Sequence, residues 1–559
     1  MELTCRLCSG KFSLLAEELA FRSAGGPTLG RKGFEIPPPN LCPDCRFKRR
    51  VAFRNERRLY HRRSDLSGKQ IISMFSPNSP YKVFDQAEWW SDGWDALTYG
   101  QEIDFEKTFT EQFALLSHRV PHNSLFTVNC ENSYYANYAI NLKNSYLIFG
   151  GANDEDCLYG RFISNSKDVV DGLHLYSCEL CYECIAAERC YACCYSMNCR
   201  DCRECFFVED CESCSNCFLC FGLERKQFYI ANEYVGKARY EAMLREQLPL
   251  SAARVHDCLV RLAQLKAELP HRQWHVFGCE ECSGDMISFS KNCHYAFDVT
   301  GCEDARYIWF TPKTISSYDA TYASPDGVQF CYETCSTVGV SSSMSTFLCW
   351  YGDSIFYSME CYSCSNIFGC VGLRNKEYCI FNKQYSREDY EEKVSRLIAL
   401  MRRTGEWGEY FHPSLSLFGY NQTVAFEYFP LNKAEAVREG WKWLDDQDET
   451  NEENAIHPLV PDVKIEHVDE SICRQTFRSE KSGRAFRIIP QELRFYRKLS
   501  LPLPRISPDE RHYNRLHRRT PRRLFPRNCA KTGARILTTY PPHDPVKVYS
   551  EAAFVEART

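Results

Sequence analysis

No run of about 18 apolar residues occurs in the 559-residue chain, and its start, Met1-Glu-Leu-Thr-Cys5, lacks the apolar segment of an export signal. The first absence excludes a spanning helix, and the second predicts the cytoplasm, where thiols stay reduced. Also missing are a P-loop, a GxGxxG after a strand, HExxH and a nucleophile elbow. Histidines number 14 and none pairs with cysteine at a recognisable spacing, so the chain reads as a non-enzyme. A net charge of −5 and 44% hydrophobic residues exclude disordered and fibrous classes and leave a globular chain of several domains. The last 180 residues are nearly free of cysteine, holding Cys473 and Cys529 alone.

That scarcity is local, because the chain has 33 cysteines. Thirteen lie in the 43 residues 178–220, and four lie near the start as Cys5, Cys8, Cys42 and Cys45. Residues 130–225 divide without a gap into eight units of 12. The fourth column reads Ser133, Ser145, Cys157, Val169, Cys181, Cys193, Cys205, Cys217, and the fifth reads Tyr134, Tyr146, Leu158, Val170, Tyr182, Cys194, Phe206, Phe218. Every third position is mostly small, which fits neither an amphipathic helix nor a flat strand. It fits a narrow β-solenoid whose short coil encloses little beyond Cys, Ser, Ala, Gly or Val. Asn and Asp in the third and twelfth columns suit its turns. The pitch and the every-third inward residue resemble the solenoid of insect antifreeze proteins, without their Thr-x-Thr face. A second array is predicted from a match at an offset of 150, in which Cys211, Cys214 and Cys220 correspond to Cys361, Cys364 and Cys370. Its register loosens around residues 311–329, and helices near 235–268 and 386–404 are expected to close the two arrays.

Three roles are open to the solenoid thiols. They pack as small apolar residues, which the Val169 interchange favours; they hold metal; or they form disulfides. A metal reading uses Cys178, Cys181, Cys190, Cys193, Cys202, Cys205, Cys214 and Cys217, since coils about 4.8 Å apart nearly match the sulfur spacing of about 3.8 Å in a tetrahedral zinc site. The fifth-column aromatics Tyr134, Tyr146, Tyr182, Phe206 and Phe218 would form an outward ladder. It is expected to pack on another part of the chain, such as Tyr332, Phe356 and Phe368 of the second array, or else to serve self-association or base stacking.

The terminal regions are related. Cys5-Arg-Leu-Cys8 and Cys42-Pro-Asp-Cys45 are paired knuckles that predict one structural zinc. Residues 46–63 then carry a local charge of +8, from Arg46, Lys48, Arg49, Arg50, Arg54, Arg57, Arg58, Arg62 and Arg63 against Glu56. Residues 43–84 align without gaps on 508–549. In that copy Ser507 and Glu510 replace Cys42 and Cys45, Cys473 is taken as the remnant of the first knuckle, and no zinc is expected. Residues 505–527 carry +6, including Arg518, Arg519, Arg522 and Arg523. Two basic arms on an acidic body predict nucleic-acid binding, to RNA or the ribosome before a DNA sequence site. The competing reading folds the arms back on the acidic body.

Cys-Pro-Asp-Cys-Arg, Phe53-Arg-Asn-Glu-Arg, Trp89-Trp90-Ser-Asp, Gly372-Leu-Arg-Asn-Lys376 and Pro490-Gln-Glu-Leu493 together resemble a family of Cys-rich zinc-ribbon proteins of unknown function from genomes of uncultivated small-genome bacteria. The resemblance implies knuckle cysteines near positions 64, 67, 507 and 532, where this chain has Ser64, Ser67, Ser507 and Thr532. The fold expected is mainly β, with two tandem narrow β-solenoids and capping helices flanked by zinc-ribbon-like α+β modules. Its boundaries are a zinc module at 1–85, a linker at 86–125, solenoids at 126–232 and 273–383 separated by helices at 233–272, a helix and acidic connector at 384–466, and a degenerate module at 467–559. The function expected is a non-catalytic, zinc-containing nucleic-acid-binding protein with the solenoids as rigid spacer. The alternatives are a protein-interaction or self-assembly scaffold and thiolate metal sequestration.

Overall fold

The computed structural model describes residues 1–29, 32–174, 178–185, 189–323, 326–445 and 457–558, so most of the acidic run expected at 445–453 lies outside the described residues. The fold is mainly β, with twelve α-helices among the described residues. Every third residue of the repeat sits in the left-handed region: Asn132, Tyr135, Tyr138 and Asn141 have φ of 47°, 54°, 52° and 53°. A coil of 12 residues therefore has four corners, and each side offers one inward and one outward residue. Residue n pairs in parallel with n+12, as in Glu131 with Lys143 and Tyr134 with Tyr146. Left-handed Tyr, Phe and Leu are costly singly. The inter-coil ladder and ring stacking between successive corners offset that cost, as where Tyr195 and Phe207 stack with centroids 4.8 Å apart.

Contacts divide the chain into two units, one of residues 1–125, 274–444 and 522–524, the other of 126–273, 445–521 and 525–559. The first unit holds the coils running from Val276–Phe277 to Glu377–Ile380. Two of its long strands, Glu303–Trp309 and Trp350–Phe356, each turn a corner and join two ladders, so eight parallel strands pair in a closed ring. The loosened register is a lengthened coil, since Thr314 pairs with Val328 and Tyr318 with Tyr332, offsets of 14. The second unit holds the coils from Thr127–Val128 to Gln227–Ile230, followed by helices Lys237–Gln247 and Ala252–Glu268. Tyr240 on Phe228 in this unit repeats Tyr390 on Tyr378 in the other, where the helix is Arg387–Thr404.

Each unit also carries one terminal module, and the modules repeat element by element. Hairpin Glu2–Thr4/Lys11–Ser13 corresponds to Phe477–Arg478/Ala485–Phe486, and helix Pro43–Val51 corresponds to Pro508–Arg518. Hairpin Tyr60–Arg63/Gln70–Ser73 corresponds to Phe525–Asn528/Arg535–Thr538. Strand Val83–Phe84 pairs with His122–Asn123 as Lys547–Tyr549 pairs with Pro270–Arg272. His122 and His271 both face the carbonyl five residues earlier, at 2.9 and 3.0 Å.

One interior position of the second unit's coils is acidic. Asp154 is buried, its Oδ1 accepts the Ser166 amide at 3.0 Å, and its Oδ2 has no partner. Burial pushes its carboxyl up to about 7. A raised acid loses stability as pH climbs from the unfolded value near 4 to the folded value, so the loss falls between about pH 4 and 7. Asp154→Asn is expected to leave stability nearly unchanged at pH 4 and to raise it by about 2–4 kcal/mol at pH 8. Urea denaturation at the two pH values measures this, and an equal effect at both would be inconsistent with a neutral buried acid.

Candidate metal centre and the arginine helices

In the N-terminal module the Cys5 amide donates to Gly10 O and the Ser9 amide returns to Cys5 O, a tight knuckle that projects Cys5 and Cys8. Cys42 is the N-cap of helix Pro43–Val51, and Cys45 lies in its first turn. The four sulfurs lie within 4.8 Å of one another, with Cys8 and Cys42 at 3.7 Å, close to the separation of about 3.8 Å in a tetrahedral thiolate site. Hydrogen bonding with Cys45 lowers Cys42 to about 5 and raises Cys45. A closed set of four cysteine sulfurs, that of Cys42 acidified, could hold a metal ion and would leave no position for a substrate.

The same backbone recurs with other side chains. The Ser479 amide donates to Arg484 O and the Gly483 amide to Ser479 O, as at Cys5, so Ser479 and Ser482 occupy the first knuckle of the C-terminal module. This corrects the assignment of Cys473, which lies in the short helix Glu470–Arg474 ahead of the hairpin. The register decides it, because Phe477 pairs with Phe486 as Leu3 pairs with Phe12. Here Ser507 Oγ caps the helix, accepting from the Glu510 amide and donating to the Glu510 carboxylate at 2.7 Å, and Ser479 Oγ donates to the same oxygen. Hydrogen bonds from Ser479, Ser507 and Ser482 overcome desolvation and lower Glu510. A hydrogen-bonded knot thus stands where the other copy has thiolates. Ser64 and Glu88 form a similar knot beside Ser67 and Asp85. Cys529 stands beside Thr532 and Ser550 in the fourth equivalent position, and their hydrogen bonds overcome desolvation to lower it to about 6.

The arginines of both helices point into the coils of their own unit. Arg46 Nε donates to Asp319 at 2.9 Å, and Arg50 Nη1 bridges Asp319 at 3.0 Å and Glu333 at 2.7 Å. Arg49 reaches Glu333 at 3.0 Å and Glu409 at 2.5 Å. Burial raises Asp319, but Arg46 and Arg50 more than compensate and hold its carboxyl below the ordinary range. In the second unit Arg511 Nε donates to Asp171 at 2.6 Å, Arg515 lies 2.9 Å from Asp171, and Arg511 also reaches Glu492 at 3.1 Å. The Arg46 guanidinium lies 5.1 Å from the Tyr307 ring centroid, and that of Arg511 lies 5.0 Å from Tyr159. Asp319, Glu333 and Asp171 carry one sequence signal, an acid in a corner column otherwise aromatic, as in Tyr159, Asp171, Glu183, Tyr195, whereas Glu492 lies in helix Pro490–Leu499.

Of the cations expected to meet nucleic acid, Arg46, Arg49 and Arg50 are therefore buried on carboxylates. Lys48 bonds Glu439 at 2.6 Å and Arg54 bonds Glu56 at 2.6 Å. Arg62 bonds Asp65 and Arg522 bonds Asp298, both at 2.8 Å, and Arg518 lies 3.7 Å from Glu183. Arg57, Arg58 and Arg519 are half-buried, while Arg63 and Arg523 are exposed, Arg523 with its Nε 3.4 Å from Asp44.

The coil thiols are oriented by backbone. Cys181, Cys184, Cys193 and Cys202 each donate to the carbonyls two residues before and nine residues after. Among the described residues the Cys5, Cys8, Cys42, Cys45 group is the one set gathered closely enough for a metal, so Cys178, Cys181, Cys190, Cys193, Cys202, Cys205, Cys214 and Cys217 are not brought together in that way. The ladder packs on another part of the chain, as expected, with helices of its own unit as the partner. Tyr182 packs on Tyr496, Phe218 joins the cluster of Tyr240, Leu262 and Leu493, and Tyr134 alone is well exposed at 63%. No helix among the described residues is long and apolar enough to cross a membrane. No protein-family profile, curated protein or solved structure matches the chain.

Proposed function

We propose that the chain is a non-catalytic zinc protein that binds nucleic acid, RNA or ribosome before a DNA sequence site, in the cytoplasm. The two coil stacks are tandem narrow β-solenoids serving as rigid spacer. The terminal modules are zinc-ribbon-like, the first with zinc on Cys5, Cys8, Cys42 and Cys45. The observation that carries the reading is the set of basic side chains exposed at the surface while the helix arginines are buried on carboxylates: Arg63 and the exposed basic residues of the C-terminal module. Phosphate contacts by such residues give an affinity that falls linearly with salt on logarithmic axes. Anisotropy titrations of full-length protein with labelled RNA and with duplex DNA are expected to show that fall, without preference among DNA sequences. Absence of binding at 50 mM salt would exclude the reading. A scaffold reading is favoured by Phe277 and Phe289, 41% and 61% exposed with rings 5.3 Å apart on the first unit's coils.

A further inference from the structure

The two terminal modules share one backbone and differ in charge, which makes one an internal control for the other. Residues 1–26 have no net side-chain charge, whereas the equivalent residues 475–500 carry +5. The change is concentrated on the first hairpin. Thr4, Leu7, Gly10 and Ser13 of the N-terminal copy correspond to Arg478, Lys481, Arg484 and Arg487, and all four of these are exposed. The strand pairing Arg478 with Ala485 sets the cations around one short hairpin, and Arg487 Nε is steadied by Thr476 Oγ1 at 2.9 Å. Glu480, the one acid of the hairpin, is drawn off by Arg505 at 2.5 Å. The hairpin's aromatics, Phe477 and Phe486, are buried and face each other across the strands.

We propose that this hairpin is the polyanion-binding surface and that it takes the phosphate backbone of RNA through Arg478, Lys481, Arg484 and Arg487. The assignment rests on the nucleic-acid reading above and adds its place and mode. Arginine forks suit phosphate geometry. With no exposed ring on the hairpin to stack a base, contact is to backbone and independent of sequence. The copy that exchanged its thiolates for a hydrogen-bonded knot is thus the one that contacts the ligand, while the metal-bearing copy is structural.

The test uses full-length protein and a labelled 30-nucleotide poly(U) across 50–300 mM KCl. One variant carries the N-terminal copy's residues (Arg478→Thr, Lys481→Leu, Arg484→Gly, Arg487→Ser), and a second changes the same four positions to Gln. Loss of four phosphate contacts is expected to reduce the salt slope by roughly 3 and to weaken binding at least tenfold at 100 mM KCl in both variants. Unchanged thermal midpoints show that the fold is kept. If the wild-type chain binds and both folded variants match it in slope and affinity, the surface assignment is overturned and the nucleic-acid reading stands. If the wild-type chain fails to bind at 50 mM KCl, both are overturned.

Discussion

Arg50→Ala is expected to destabilise the N-terminal unit by about 3–5 kcal/mol, because it strips a shared cation from two buried carboxylates. Arg50, Asp319 and Glu333 are all shielded from water, and one nitrogen of Arg50 serves both acids. Truncation leaves Asp319 on Arg46 alone and Glu333 on Arg49 alone. Arg50→Lys is expected to recover only part of the loss, since an ammonium lacks the planar fork that also places Nε 3.2 Å from Thr321 Oγ1. Adding Glu333→Gln to Arg50→Ala should relieve part of the cost by removing the uncompensated charge. Arg63→Ala, on an exposed residue, should change stability by less than about 0.5 kcal/mol. Urea denaturation followed by tryptophan fluorescence measures the series, and a cost below 1 kcal/mol for Arg50→Ala would contradict a buried bridging role. Arg50→Ala should leave the salt slope of RNA binding intact.

The second large effect concerns the two copies of one helix N-terminus. Cys42→Ala is expected to abolish metal binding and to lower the unit's thermal midpoint by roughly 10 °C, since the free energy of a structural thiolate site is folding free energy. Ser507→Ala, at the equivalent position of the other module, should cost about 1 kcal/mol, the usual price of an N-cap. Calorimetry with metal analysis compares the two, and equal effects would mean that the cysteine acts as a cap and nothing more.

Local features were legible from the sequence. The 12-residue period, the small inward columns and the Asn and Asp corners all act through neighbours within one coil or the next, so a periodic pattern records them. The paired knuckles were legible because each is a fixed two-residue spacing of cysteines, and the alignment of 43–84 on 508–549 because the two copies keep the same residues at the same spacing. The partners of the arginines were not, because Arg46 and Asp319 lie 273 residues apart and charge alone does not tell a solvated stripe from a buried one. Nor was the true first knuckle of the C-terminal module. Cysteine is what marks a knuckle in a sequence, and Ser479 keeps the geometry of Cys5 while changing its chemistry. The lengthened coil at Tyr318 and Tyr332 was visible only as blurred register, because two added residues shift every later column.

The central claim is that cysteine richness marks a narrow coil and that a single tetrathiolate site holds metal. Native mass spectrometry of the purified full-length chain tests it most directly. One zinc per chain, lost on Cys42→Ala and retained when Cys193 and Cys205 are replaced by Ser, is the predicted result. Three or more zinc ions, with some lost when Cys193 and Cys205 are replaced, would contradict it.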